Sequence, residues 1–211
     1  MATRPFIYPR NGSFRIRCRG GLPHWELDRG IYFVTWRLAD SLPAAARSKI
    51  RDFRSRQDPL RYPPATSAEK LHIQRLIFGE FEKWLDRGLG SCVLRDERAS
   101  KIIRDALHFF DGERYQLISW AIMPNHVHVV FMLFKGSEIG RVVSSWKRFT
   151  ARECNRLLGR SGSLWQRDYY DRLVRDMEEL QRTVRYVMNN PAKAGLDPWP
   201  WTWMRDDLEL G

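Results

Sequence analysis

Residues 115–133 read YQLISWAIMPNHVHVVFML, two strand-length apolar segments joined through a Pro-Asn turn at 124–125. The first segment is apolar on both faces, the pattern of a strand at the centre of a sheet. In the second, side chains alternate, so His126 and His128 share one face while Val127 and Val129 take the other. A chain with such a pair of strands must build a sheet around them and also satisfy two imidazoles within it. Each buried ring has a donor and an acceptor to match, and each resists charging beside its neighbour. A shared cation resolves both demands, because neutral imidazole is a good metal ligand. Spacing alone leaves two readings open: a metal pair, or histidines satisfied otherwise or at the surface. HxHxDH and HExxH are absent, and Val130 stands where a third alternating histidine would fall. A third ligand must come from elsewhere in the chain.

The surrounding periodicity supplies the rest of the sheet. Residues 30–38, GIYFVTWRL, read as a strand, and residues 169–174 as a final one. Amphipathic helices are expected over 44–57, 68–88 and 96–111, the last with Ile102, Ile103, Ala106, Phe109 and Phe110 on its apolar side and His108 at the surface. A long helix follows the histidine strand, with Ile139, Val142, Val143, Trp146 and Phe149 on one stripe and Lys147, Arg148, Arg152 and Arg156 opposite. The last helix opens on an Asp176–Glu179 capping pattern and is expected to end at Pro191. The order is that of an α+β fold, a ferredoxin-like βαββαβ antiparallel sheet with helices on one face, plus an inserted helical segment. One domain over 1–211 is expected, with a basic N-terminal arm at 1–22, the helical insertion at 43–90 and a Trp-rich tail at 197–211.

The formal net charge of +11 over 211 residues points to an anionic polymer as partner. Arginine dominates the cations, which suits bidentate contact with phosphate. Arg15, Arg17 and Arg19 fall on one side of the arm if it is extended, positioned for phosphates or simply solvated. The three dispersed cysteines make no metal or disulfide pattern, and the N-terminus has no apolar targeting core. A cytoplasmic, nucleoid-associated protein with no membrane partner is expected.

In RYVMNNPAKAGL, residues 185–196, Tyr186 and Asn190 stand one helical turn apart on a flank of the core stripe Leu180, Val184, Val187 and Met188. Alone, Tyr186 reads as a helix tyrosine lying along the sheet with a wet hydroxyl. Together, MPNHVHVV and YVMNNPAKAGL resemble the single-tyrosine HUH transposases (IS200-like), and more narrowly the REP-associated tyrosine transposases. PHWELDRGIYFVTWRLADSLP, SWKRFTAREC and LWQRDYYDRLVRD are similar to further family segments, so the resemblance runs from about residue 23 to 196. The departure is the 43–90 segment, longer than a minimal catalytic domain: a DNA-contacting piece, a dimer-blocking piece or packing.

The resemblance implies a metal-dependent nuclease and strand transferase acting on single-stranded or hairpin DNA through a 5′-phosphotyrosine. Tyr186 matches the nucleophile, and His126 and His128 match the catalytic histidine pair. Those histidines with Asn190 match the ligands of a divalent metal, Mg or Mn. Arg15, Arg17, Arg19, Lys147, Arg148, Arg152, Trp165 and Arg167 are the expected DNA contacts, Trp165 by stacking on a base. A monomer is favoured over a homodimer. The competing readings are a hairpin-binding protein without turnover and an HxH phosphohydrolase.

Overall fold

A computed structural model of the chain describes residues 14–19, 22–27, 29–56 and 67–208, with side chains described over 29–52 and 76–208. The strands are β1 (Phe14–Arg19), β2 (Leu22–Leu27), β3 (Ile31–Arg37), β4 (Tyr115–Ile122), β5 (His126–Leu133), β6 (Tyr170–Val174) and β7 (Thr202–Met204). The helices are α1 (Ala44–Arg56), α2 (Ser67–Leu85), α3 (Glu97–His108), α4 (Ile139–Leu157) and α5 (Met177–Lys193). Five strands form an antiparallel sheet in the order β6-β3-β5-β4-β7. Without β7, the sequence β3-α3-β4-β5-α4-β6 is the expected βαββαβ unit, with β5 and β3 at its centre.

Every residue of β4 and β5 is buried. On one face, Tyr32, Val34 and Trp36 of β3 and Val127, Val129 and Phe131 of β5 pack against Ala99, Ile103 and Leu107 of α3 and Val142, Val143 and Trp146 of α4. Fully burying each large apolar side chain contributes about 1.5–3 kcal/mol, so this layer is the main source of stability. On the other face, Ile31, Phe33, Val130 and Met132 meet Leu180, Val184 and Val187 of α5. The expectation of helices on one face therefore holds for the two crossover helices, α3 and α4, and not for α5. A strand with apolar residues on both sides needs a cover on each, and α5 supplies the second.

Several local expectations need correction. Pro191 does not end α5, which continues to Lys193 with the proline inside its last turn; Gly195, at φ 70°, follows as the left-handed stop. Phe109 is 73% exposed because α3 ends at His108, before the stripe can carry it inward. Phe149 is also exposed, and Thr150 and Cys154 take the buried positions on α4. His108 is half-buried rather than at the surface, where its Nε2 accepts from Trp120 Nε1 at 3.1 Å. In the basic arm, β1 pairs with β2 as an antiparallel hairpin; the arm's other residues, and the side chains of Arg15, Arg17 and Arg19, lie outside the described set. The tail adds β7 to the edge of β4, and Trp199 Nε1 donates to the Ile122 carbonyl at 2.8 Å.

Candidate active site

Sheet register places the histidine pair. His128 stands between Thr35 of β3 and Ala121 of β4, and His126 stands beside Arg37. Both imidazoles are 0% exposed and face α5. Asn125, in the turn before β5, is the first positioning group. Its Nδ2 donates to the carbonyls of Leu85 at 3.2 Å and Leu89 at 3.1 Å, which turns Oδ1 toward His126 Nδ1 at 2.7 Å. His126 Nδ1 must then carry the proton, and its Nε2 presents a lone pair. Thr35 Oγ1 lies 2.7 Å from His128 Nδ1, and the two Nε2 atoms are 2.9 Å apart. When Thr35 accepts from its histidine as Asn125 does, two lone pairs converge, an arrangement that needs a proton or a cation between them.

Burial sets the charge state. It pushes His126 down to about 3, with Asn190 opposing the shift and Lys193 adding to it. It lowers His128 well below the ordinary histidine value, helped by His126 and Lys193. Both rings are therefore neutral at pH 7, the form a metal requires.

Tyr186, on α5, reaches the pair: its ring centroid is 5.7 Å from that of His128. Its hydroxyl donates to Glu82 Oε2, not to a histidine. Burial and the Glu82 charge hold the phenol far above its ordinary value. Asn190, one turn later, is 0% exposed. It lies near enough to Glu82, Tyr186 and His126 for weak side-chain hydrogen bonding to influence their ionisation, yet neither amide atom reaches a well-formed hydrogen bond among the described residues. A buried primary amide with no well-formed hydrogen bond has donor and acceptor capacity to offer a ligand.

Glu82 was not legible as a site residue. It comes from α2, inside the 43–90 insertion, and is 3% exposed. Its Oε2 lies 3.5 Å from His128 Nε2, and its Oε1 has no partner among the described residues. Burial pushes its carboxyl up to about 8, against the Tyr186 hydrogen bond and with help from Asp86. From the same helix, Phe78 stacks on Tyr170 at 4.1 Å and meets Phe33 edge-on at 5.5 Å, while Phe33 stacks on His128 at 5.6 Å. Thus α2 closes the site over the sheet. A cavity of about 80 Å³, lined by Asp86, Arg87, Arg95 and Asn125 among others, adjoins His126.

Ligand atoms of Glu82, His126 and His128 lie within 4.8 Å of one another. Two nitrogens each about 2.1 Å from one ion are separated by roughly 3.0–3.4 Å, depending on the angle, so the 2.9 Å histidine spacing suits a shared ion. With neutral imidazoles, an unpartnered carboxylate oxygen and an unpartnered amide, the donor set fits a divalent metal.

The expected DNA contacts fare differently. Trp165 is 5% exposed, donates from Nε1 to Thr150 Oγ1 at 2.9 Å and packs edge-on to Trp36 at 6.1 Å. It is a core residue in this structure, and no base can stack on it. Lys147 is half-buried and donates to the Gln166 and Arg167 carbonyls, each at 2.7 Å, and burial lowers its ammonium to about 8. Arg148, Arg152 and Arg167 are exposed, with Arg152 bonded to Glu153. Because α4 covers the α3 face, Arg148 and Arg152 are not brought to the histidines.

A family model described as "Transposase IS200 like" matches residues 92–190, which include the histidine pair, Tyr186 and Asn190. More narrowly, the chain is similar to REP-associated tyrosine transposases. It is 25% identical over 109 residues to a Haemophilus influenzae protein provisionally named as one, covering 45% of this chain and 62% of the relative. It is 22% identical over 101 residues to the REP-associated tyrosine transposase of Escherichia coli, covering 46% of this chain and 59% of the relative. The chain thus spans about three fifths of the length of the curated relatives it matches. A solved REP-associated tyrosine transposase bound to a REP hairpin aligns over 97% of this chain and 94% of its own, at 14% identity and a TM-score of 0.45.

Proposed function

We propose that this chain is a metal-dependent single-stranded DNA endonuclease and strand transferase that acts at hairpin DNA through a 5′-phosphotyrosine intermediate. The observation that carries the reading is the convergence of Tyr186, from α5, on the buried histidine pair of β5. The similarity to REP-associated tyrosine transposases, and the hairpin bound by one of them, supply the substrate class.

In this reading Tyr186 Oη attacks the scissile phosphorus. The new phosphorus–Oη bond replaces the bond to the 3′ oxygen, which leaves and takes up a proton as a 3′-hydroxyl. The phenol is neutral at rest, so its proton must be removed, and Glu82 Oε2, once that carboxyl is ionised, is the acceptor it already faces. The covalent link keeps the phosphodiester energy, and a second 3′-hydroxyl can reverse the step to join strands. His126, His128 and Asn190 would hold a divalent ion, Mg or Mn, which would polarise a non-bridging phosphate oxygen. Asn125 and Thr35 engage the two Nδ1 atoms and leave both Nε2 atoms facing each other, where such an ion would be held.

On a denaturing gel with end-labelled hairpin DNA and Mn, wild type is expected to form a covalent adduct. Tyr186→Phe is expected to form none and to retain DNA binding. Normal cutting by Tyr186→Phe rejects the tyrosine as nucleophile, and release of cut products with no trapped protein indicates a hydrolase instead.

A further inference from the structure

We propose that Glu82, carried into the site by the 43–90 insertion, is a protein ligand of the divalent ion held by His126 and His128. The inference rests on the reading that this pair binds a metal, and goes beyond it in assigning the insertion a part of the site. Three observations carry it. Glu82 and Asn190 are both buried beside the histidines from the helical side. Its Oε2 lies 3.5 Å from His128 Nε2, a spacing compatible with two atoms of one coordination shell. Its Oε1 is buried with no partner among the described residues, so the side chain has an acceptor to offer while Oε2 still receives the Tyr186 hydroxyl.

The chemistry favours the assignment. A carboxylate buried beside Tyr186 and two uncharged imidazoles has no cation paired with its free oxygen among the described residues. Lys193, the nearby ammonium, pairs instead with Asp86 at 2.8 Å. A divalent ion supplies the missing positive charge and lets one anionic ligand join two neutral nitrogens, a set suited to Mn. The carboxylate would then link the ion to Tyr186, whose hydroxyl it already receives. The insertion becomes part of the coordination shell as well as its cover.

The test is isothermal calorimetry of Mn binding to the full-length, metal-stripped protein without DNA. Variants are Glu82→Gln, Glu82→Asp, Asn190→Ala and His126→Ala, each first checked for native circular dichroism. Glu82→Gln keeps the shape and loses the charge; it is expected to weaken Mn binding at least 10-fold, with partial recovery in Glu82→Asp. Wild-type affinity in Glu82→Gln, alongside loss in His126→Ala, overturns the assignment of Glu82 and leaves the histidine site standing. Wild-type affinity in His126→Ala overturns both. Should Glu82→Gln fail to fold, Glu82→Asp decides the matter through the electron paramagnetic resonance spectrum of bound Mn. A spectrum changed from wild type supports coordination, and an unchanged one rejects it.

Discussion

Burial moves Glu82 and the two histidines in opposite directions, and the consequence is measurable. Glu82 shifts from 4.5 up to about 8 on burial, so between those values the metal-free native state binds more protons than the unfolded chain. The stabilisation is complete below 4.5 and is lost as pH rises through 8. For His126 the shift from 6.5 down to about 3 means that stability is present above 6.5 and is lost as pH falls toward 3. Metal-free Glu82→Gln is therefore expected to lose less stability than wild type between pH 6 and pH 8.5, read from urea midpoints at the two values. An equal loss in both proteins would show that Glu82 is not buried as a neutral acid. Asn125 acts at the same scale. Its amide ties the end of α2 and the following loop to His126, so a mutation there disturbs the histidine tautomer without touching a ligand.

The helix α5 carries both Tyr186 and Asn190, and its start is built by the Asp176–Glu179 cap. Asp176 Oδ1 accepts from Glu179 N at 2.7 Å, and Glu179 Oε2 accepts from Arg175 N at 3.1 Å. Asp176→Ala is expected to cost about 1 kcal/mol of global stability in denaturant titration. It should leave the far end of the helix, with Tyr186 and Asn190, in place, so adduct formation under native conditions should persist. The sheet elements were legible because their signals are local: alternation in β3 and β5, two-sided apolarity in β4, a cap before α5. The role of α2 was not. Its sequence gives an amphipathic helix with Glu82 among other charged residues, and nothing local separates a carboxylate turned onto the histidines from its solvated neighbours Glu80 and Lys83. Trp165 failed for a related reason: an aromatic between basic residues matches a stacking site and a core residue equally well until packing decides.

Across the whole molecule, positive charge is spread well beyond the site. Arg148 and Arg152 lie on α4, across the sheet from α5, so any phosphates they contact are distant from the histidine pair. If they do contact DNA, Arg148→Ala is expected to weaken hairpin binding at low salt and to reduce the slope of log K against log salt by about 0.7–0.9. An unchanged slope would remove Arg148 from the interface. Among the described residues no helix is long and apolar enough to cross a membrane. The sequence by itself determined the βαββαβ order, the shared face of His126 and His128 and the turn-spaced Tyr186 and Asn190, because period-two and period-3.6 geometry is fixed over a few residues. Only the tertiary structure decided that α5 covers the histidine face, that α2 closes over it and that Glu82 faces Tyr186. Those depend on which surfaces remain apolar once the sheet has formed, a property of no single segment of the chain.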